Sequence, residues 1–224
     1  MYCDSSTEII PVIAIDGPSA SGKGTIASMV AAELGWAYLD SGALYRLTAL
    51  YAEQRKINWE NETAIAALAA ALPVEFIQKA IYLNGEEVSQ SIRTEHIGMG
   101  ASAIAKFPQV RHALLSRQRQ FLVSPGLVAD GRDMGSVVFP HAQLKIFLTA
   151  SSKIRAIRRA RQLHISESDS EFERILKDIC KRDDADRNRT VAPLQPLEDA
   201  YILDTSELTI SESVQKVLDW YQKT

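Results

Sequence analysis

Residues 17–25 carry the pattern G-x-x-x-x-G-K, with glycines at 17 and 22 and a lysine at 23. An apolar run at 12–15 precedes the pattern and helically spaced apolar residues follow it, which predicts a strand, a loop and a helix in that order. Such a loop turns backbone N–H groups inward, and the lysine ammonium reaches terminal phosphates. A glycine turn with a purely structural role is the alternative. We expect a phosphate-binding loop, formed by Gly17, Pro18, Ser19, Ala20, Ser21, Gly22, Lys23, Gly24 and Thr25.

A metal ion bound with the nucleotide would find few direct ligands in this segment. Gly24 stands where the usual pattern has a Ser or Thr that ligates Mg²⁺. We therefore expect the metal to be held mainly through phosphates and water, close to Thr25. Asp130 follows an apolar run at 127–129, at the carboxyl end of a predicted strand, where ligands collect in open α/β sheets. We expect Asp130 to orient water on Mg²⁺; an ion pair with an arginine is the structural alternative.

The composition argues against nucleic acid and membranes as partners. The chain has 224 residues, 46% of them hydrophobic, and a formal net charge of −3. It suits one domain with insertions, and it lacks an overall basic field for a polyanion. Eleven of the 25 Lys and Arg residues cluster between 151 and 190, where they can hold a small anion.

Two cysteines, Cys3 and Cys180, are too few and too far apart for a disulfide framework or a metal site. The apolar run at 9–15 contains a proline and suits neither a signal peptide nor a membrane span. We expect a cytoplasmic protein.

Strand-like and helical segments alternate along most of the chain. Strands are predicted at 12–15, 36–39, 127–129, 144–148 and 201–203. This alternation predicts a parallel sheet with helical crossovers. Helices are predicted at 26–34, 43–54, 60–72, 94–105, 110–121, 152–163 and 171–182, and after a capping box at Thr209 and Glu212.

The segment from 74 to 88 differs from this alternation. Short strand-like runs occur at 74–77, 80–83 and 86–88, and Asn84-Gly85 is a strong hairpin signal between the last two. We interpret it as a small β insertion.

A phosphate-binding loop together with clustered arginines is typical of phosphoryl transfer, in which catalysis is mostly positioning and neutralisation of charge. A hydroxyl acceptor needs a base, whereas a phosphate acceptor is already nucleophilic at neutral pH. The four histidines, at 96, 112, 141 and 164, stand in unrelated contexts, and we interpret them as surface or packing residues. The residues favour a nucleotide monophosphate acceptor. Which nucleotide it is, for example UMP, stays open, and so do a hydroxyl compound as acceptor and an ATP-binding switch without turnover.

Four segments carry a resemblance to a known family. They are Gly-Pro-Ser-Ala-Ser-Gly-Lys-Gly-Thr at 17–25, Leu-Asp-Ser-Gly-Ala-Leu-Tyr-Arg at 39–46, Ala-Asp-Gly-Arg-Asp-Met-Gly at 129–135 and Arg-Asp-Asp-Ala-Asp-Arg-Asn-Arg at 182–189. With them the chain resembles the bacterial cytidylate kinases, nucleoside monophosphate kinases of the P-loop class, over residues 11–220. The resemblance implies transfer of the γ-phosphoryl group of ATP to CMP or dCMP, with Mg²⁺, by a monomer.

The resemblance also implies an α/β fold of the P-loop NTPase type. Such a fold has three layers with a parallel central sheet, a monophosphate-binding lobe that contains the β insertion, and a lid. In a single kinase domain, 1–224, the core would comprise 10–40, 127–150 and 197–224, the lobe about 41–126 and the lid region about 151–190.

The same resemblance assigns residues to the acceptor. Ser102, Arg111 and Asp133 match positions that recognise cytosine. A carboxylate can accept from the exocyclic N4 amine, and Arg and Ser can donate to N3 and O2, a pattern that uracil does not satisfy. The remaining acceptor contacts are assigned to Ser41, Arg46 and Arg132 at the CMP end of the site and to Arg182, Asp186 and Arg189 at the ribose and phosphate.

On the ATP side, the resemblance implies that residues 17–25 bind ATP, with Lys23 on its phosphates. It assigns Arg155, Arg158 and Arg159 to a lid that closes over the nucleotide and excludes water. The implied catalytic residues are Lys23, Arg132, Arg155, Arg158 and Arg189.

The chain departs from the family pattern at three positions. Ala20 stands where glycine is common, which is harmless if its φ angle is negative. Thr149 and Lys153 stand where acidic residues often flank the lid helix. Structural alternatives also exist for the site residues: Asp133 as a helix cap, and Arg111 and Arg182 as solvated surface residues.

Overall fold

Strands and helices alternate in chain order, as predicted. The computed structural model describes residues 9–77 and 80–224, so Cys3 lies outside the described residues. No helix within these two ranges is long and apolar enough to cross a membrane. The elements are β1 (Val12–Asp16), α1 (Lys23–Leu34), β2 (Ala37–Asp40), α2 (Ser41–Gln54), α3 (Glu62–Ala70), β3 (Val74–Ile77), β4 (Ala80–Leu83), β5 (Glu86–Glu87), α4 (Glu95–Ile104), α5 (Pro108–Arg119), β6 (Leu127–Gly131), β7 (Leu144–Thr149), α6 (Ser152–Gln162), α7 (Ser170–Asn188), β8 (Tyr201–Asp204) and α8 (Ile210–Tyr221).

Five parallel strands form the central sheet in the order β2, β6, β1, β7, β8. Every residue of β1 and β6 is buried. Helices cover both faces, which explains why these strands are continuous apolar runs. The register pairs Asp16 with Gly131 on one side and with Phe147 on the other. The carboxyl ends of β1, β6 and β7 therefore meet at one edge of the sheet.

Side chains of β1 alternate between two apolar clusters on opposite faces of the sheet. Ile13 and Ile15 pack with residues of α1 and α8. Val12 and Ala14 pack with residues of α2 to α5. This is the three-layer α/β arrangement that the sequence predicts.

The predicted β insertion is a three-stranded antiparallel sheet of β3, β4 and β5. Asn84 and Gly85 form the turn between β4 and β5 with φ angles of 51° and 81°. Two consecutive positive φ angles are typical of the type I′ turn that matches strand twist, so the hairpin prediction is confirmed.

Helices α6 and α7, which fall in the range predicted as the lid region, pack on each other through an apolar cluster that includes Ala156 and Phe172. α7 continues to Asn188, although the sequence pattern predicted its end at 182. The last turns are stabilised by a buried ion pair between Asp183 and Arg155 of α6. Such a pair leaves no periodic apolar signal, which is why the predicted helix was too short. The division into core, lobe and lid region stays a prediction.

Candidate active site

The predicted phosphate-binding loop lies between β1 and α1. A Cβ atom at Gly17 would lie 2.1 Å from the backbone oxygen of Leu148, so only glycine fits against β7. Gly22 caps α1 with a φ angle of 92°, which glycine adopts without strain. Lys23 Nζ donates to the Pro18 carbonyl oxygen at 3.3 Å across the loop. Burial lowers the pKa of Lys23 to about 8, and a phosphate oxygen would replace this long hydrogen bond.

Ala20 adopts the left-handed conformation, with a φ angle of 57°. The condition under which alanine would be harmless at this position, a negative φ angle, is therefore not met. This conformation costs about 1–2 kcal/mol for a residue with a Cβ atom. The side chain packs against the apolar cluster of α6 and α7, and this contact offsets part of the cost. The loop thus contacts the lid region through a residue at which the chain departs from the family pattern.

A cavity of about 920 Å³ opens beside the loop, at the edge where β1 and β6 end. Residues of α2, α4 and α5 line one part of it, and residues of α6 and α7 line another. Four predicted site residues, Gly17, Pro18, Arg155 and Arg158, are absent from this lining. The predicted site residues that do line the cavity are Ser19, Ala20, Ser21, Gly22, Lys23, Gly24, Thr25, Ser41, Arg46, Ser102, Arg111, Asp130, Arg132, Asp133, Arg182, Asp186 and Arg189.

Asp130 is buried at the end of β6 and accepts a hydrogen bond from the Tyr38 hydroxyl at 2.7 Å. Its partner is therefore a tyrosine. The structural alternative, an ion pair with an arginine, is wrong. Burial, followed by the Asp40 carboxylate, raises the pKa of Asp130 to about 7, while Lys23 acts to lower it. A Cβ atom at Gly24 would lie 3.1 Å from Asp130 Oδ2 and 3.5 Å from the Tyr38 hydroxyl. The space of a Ser or Thr side chain at 24 is thus taken by this pair.

Arg132 links the phosphate-binding loop to α7. Its Nη2 donates to Ser19 Oγ at 2.9 Å and its Nε donates to Asp186 Oδ2 at 2.7 Å. Arg189 lies on the other side of the same carboxylate, with Nη1 4.0 Å from Asp186 Oδ1. Burial lowers the pKa of Arg189, and its Nη2 is buried without a hydrogen-bond partner among the described residues. An anion in the cavity would supply that partner.

Arg111 of α5 forms a buried ion pair with Asp133. Arg111 also donates to the Ala105 carbonyl oxygen at 3.3 Å, and Ser102 Oγ donates to the Gly98 carbonyl oxygen at 3.1 Å. Asp133 makes no side-chain cap on the turn that follows it. The helix-cap alternative for Asp133 and the surface alternative for Arg111 are therefore both wrong. The structure brings all three residues predicted to recognise cytosine into one cavity.

Glu95 of α4 accepts hydrogen bonds from two arginines of the lid region, Arg182 and Arg159, the second at 3.1 Å. Arg182 is thus not the solvated residue of the structural alternative. Arg46 donates to the Ile92 carbonyl oxygen at 2.9 Å and lies in the same part of the cavity. Sequence reasoning missed Glu95 because its partners stand 64 and 87 positions away and share no motif with it.

Gln118 is a second residue that sequence reasoning missed. Its Oε1 accepts from the Ser41 hydroxyl at 2.6 Å in a buried contact. A signal was available, because Arg111, Leu114 and Gln118 fall at helical spacing on one face of α5. The contact fixes the orientation of Ser41 at the start of α2.

Arg155 and Arg158 contact the backbone of the phosphate-binding loop. Arg155 is 2% exposed, pairs with Asp183 and donates to the Ser19 carbonyl oxygen at 3.1 Å. Arg158 donates to the Ser21 carbonyl oxygen at 2.9 Å. Both side chains therefore hold the loop from outside the cavity. Their catalytic role stays a prediction.

The fold and the site together define a class of protein. A glycine-rich loop at the carboxyl end of a central parallel strand, facing an arginine-lined cavity, is the arrangement of P-loop phosphotransferases. The family model for cytidylate kinase matches residues 13–223. The chain belongs to the cytidylate kinase family, which confirms the resemblance drawn from the sequence.

Curated relatives agree with this family. A cytidylate kinase of Neisseria gonorrhoeae is 65% identical over 212 residues, which cover 95% of this chain and 97% of the relative. A cytidylate kinase of Chromobacterium violaceum is 58% identical over 214 residues, which cover 96% of each chain. Among solved structures, an uncharacterized protein from Eubacterium ventriosum is similar with a TM-score of 0.52 at 9% identity, over 96% of this chain and 99% of that chain. That likeness concerns the fold alone.

Proposed function

We propose that this protein transfers the γ-phosphoryl group of ATP to CMP or dCMP and releases ADP with CDP or dCDP. The observation that carries the proposal is the buried pair of Arg111 and Asp133, which lies with Ser102 in the cavity of the phosphate-binding loop. Asp133 can accept from the exocyclic amine of cytosine, while Arg111 and Ser102 can donate to N3 and O2. Uracil presents a carbonyl oxygen in place of that amine, so the carboxylate repels it.

The acceptor group is a phosphate. Arg46, Arg132, Arg182 and Arg189 all line the cavity, and converging guanidinium groups suit a phosphate dianion. A phosphate acceptor needs no general base at neutral pH, whereas a hydroxyl acceptor does. This arrangement favours a nucleoside monophosphate over a hydroxyl compound.

In the proposed reaction an acceptor phosphate oxygen attacks the γ-phosphorus of ATP, the bond to the bridging oxygen breaks, and ADP leaves. Lys23, Arg132 and Arg189 neutralise the charge on the transferred group. Arg155 and Arg158 contribute by holding the carbonyl groups of the loop, which keeps its N–H groups turned toward the nucleotide. The lid region excludes water that would otherwise be phosphorylated.

We infer that Mg²⁺ accompanies ATP. Within 9–77 and 80–224 no group of three or more His, Cys, Asp or Glu residues could hold a metal ion by itself. The donors beside the loop are oxygens, from the Thr25 hydroxyl and the carboxylates of Asp40 and Asp130, and Mg²⁺ prefers oxygen ligands. These residues fit a metal bound mainly by phosphates and water, with Asp130 orienting the water. When bound, Mg²⁺ neutralises phosphate charge.

We infer a monomer that acts in the cytoplasm on small nucleotides. One chain supplies the residues that line the cavity, so the site needs no second copy. Cys180 is a free, exposed thiol, which suits a reducing compartment.

The experiment is ADP release by the purified protein with ATP and Mg²⁺, with CMP, dCMP, UMP, AMP and shikimate added separately. We expect rapid turnover with CMP and dCMP, and its loss in Lys23→Met. Rapid turnover with UMP alone or with shikimate would support another acceptor. ATP binding without any turnover would support the non-catalytic switch.

A further inference from the structure

Asp16 ends β1 directly before the phosphate-binding loop and is 8% exposed. Its Oδ1 accepts from the backbone N–H of Met134 at 2.8 Å, and its Oδ2 accepts from that of Gly135 at 2.9 Å. These two N–H groups follow Arg132 and Asp133 in the chain. Asp16 is absent from the lining of the cavity, so its effect on a substrate must pass through this turn.

The Asp16 carboxylate is attached to a part of the backbone that is closely packed. Asp16 pairs with Gly131 of β6 on one side and with Phe147 of β7 on the other. The next residue, Gly17, is so close to β7 that a Cβ atom would lie 2.1 Å from the Leu148 carbonyl oxygen. The carboxylate is therefore a fixed point against which the turn is held.

The turn carries residues for two different parts of the acceptor. Arg132 contacts the phosphate-binding loop and Asp186, while Asp133 pairs with Arg111. Loss of the Asp16 carboxylate would leave two buried N–H donors without their partners. The turn would then shift to find others, and both acceptor contacts would move with it.

We propose that Asp16 is a positioning residue for acceptor recognition. By clamping the N–H groups of Met134 and Gly135, it sets the distance between the Arg111–Asp133 pair and the phosphate-binding loop. This inference rests on the proposed function and extends it to a residue that does not touch the substrate. It implies that ATP binding and acceptor selectivity respond differently to the loss of this carboxylate.

The test is Asp16→Asn, because the amide keeps the size of the side chain but offers only one acceptor oxygen. Asp219→Asn is the matched control, since it removes a carboxylate that accepts from Gln215 at 2.8 Å in an exposed contact within α8. We expect Asp16→Asn to raise the KM for CMP at least tenfold, to lower the ratio of kcat/KM for CMP over UMP at least tenfold, and to leave the KM for ATP within twofold. The control should change none of these.

Two results with Asp16→Asn would overturn the inference. A folded Asp16→Asn protein with the wild-type KM for CMP and the wild-type ratio would remove it. Equal increases in KM for ATP and CMP would show a merely structural role. If the Asn variant does not fold, Asp16→Glu takes its place, because it keeps both oxygens and displaces them by one methylene. Unchanged selectivity in the Glu variant would also overturn the inference.

Amide hydrogen exchange separates failure of this inference from failure of the proposed function. In the folded Asn or Glu variant we expect the amides of Met134 and Gly135 to exchange at least tenfold faster, with little change in β1. This result does not depend on the acceptor. If the wild-type protein does not phosphorylate CMP, the proposed function fails while the exchange result still decides whether Asp16 clamps the turn. Unchanged exchange would refute the clamp.

Discussion

Arg111 on α5 donates a hydrogen bond to Asp133, just beyond the end of β6, and the two side chains are 9% and 7% exposed. The pair joins α5 to the end of a central strand, at the point where we place the cytosine ring. Both charges are buried, so the attraction between them is the main term that offsets the free-energy cost of removing each charge from water. In our proposal, stability and acceptor recognition therefore depend on the same contact.

Arg111→Met is expected to lower the free energy of unfolding by about 3–5 kcal/mol, because it leaves a buried carboxylate unpaired. Urea unfolding at pH 7 measures this loss. The double variant Arg111→Met, Asp133→Asn should regain part of it. Arg161→Met, at an exposed position on α6, is the control and should change the free energy by less than about 0.5 kcal/mol. A loss in Arg111→Met no larger than in the control would contradict the buried pair.

Ala20→Gly is expected to have a small net effect on stability. Glycine relieves about 1–2 kcal/mol of strain at the left-handed φ angle, but the change removes a methyl group packed on the lid region, which contributes about 0.8 kcal/mol. Ala67→Gly, at an exposed position inside α3, is the control and should cost about 1 kcal/mol. Urea midpoints compare the two. A loss in Ala20→Gly as large as in the control would show that Ala20 is not strained.

Tyr38→Phe is expected to raise the Mg²⁺ concentration that ATP binding requires. The variant keeps the ring but removes the donor to Asp130, and a hydrogen bond to a charged group is worth about 1.5–3 kcal/mol. The Mg²⁺ concentration for half-maximal ATP binding should rise about tenfold, measured by titration with a fluorescent ATP analogue. Tyr201→Phe, on the exposed part of β8, is the control.

Wild-type Mg²⁺ dependence and turnover in Asp130→Ala would remove the proposed role of Asp130.

The pKa of Asp16 predicts how the free energy of unfolding changes with pH. Burial is the main cause that raises the pKa of Asp16 from 3.8 to about 6, and the charge of Asp133 also raises it. The N–H groups of Gly135 and Met134 and the charge of Arg132 lower this pKa, but by less. Between pH 4 and 6 the folded protein then binds more protons at this group than the unfolded chain, so its contribution to stability falls as pH rises.

The comparison with Asp16→Asn isolates this effect, because the variant lacks the titrating group. On going from pH 7 to pH 4 the wild type should gain stability relative to the variant, by at most about 3 kcal/mol at 1.36 kcal/mol per pKa unit. Urea unfolding across this pH range measures the difference. A difference that does not change with pH would show that the pKa of Asp16 is not raised.

The sequence predicted the strands, the phosphate-binding loop and the hairpin because each depends on a local pattern. Glycine spacing, apolar runs and the Asn84-Gly85 pair all act within a few residues. The left-handed conformation of Ala20 carried no such local signal, because glycine is the usual sign of a positive φ angle and this chain has alanine at that position.

The hydrogen-bond partners of the site residues could not be predicted from local sequence patterns either. Tyr38 and Asp130 stand 92 positions apart, and Asp16 and Met134 stand 118 apart. The position of Arg155 outside the cavity depends on Asp183, which the predicted helix did not reach. Sequence reasoning placed the site residues at the correct edge of the sheet. Only the packed structure shows which of their atoms are in contact.

Acceptor selectivity tests the central claim most directly, namely that the Arg111–Asp133 pair recognises cytosine. We would measure kcat/KM for CMP and for UMP with ATP and Mg²⁺, in the wild type and in Asp133→Asn. The account predicts a preference for CMP of at least about 100-fold in the wild type and the loss of most of it in the variant, because a buried hydrogen-bonding site rejects a mismatched base strongly. Equal use of CMP and UMP by the wild type, or an unchanged preference in Asp133→Asn, would contradict it.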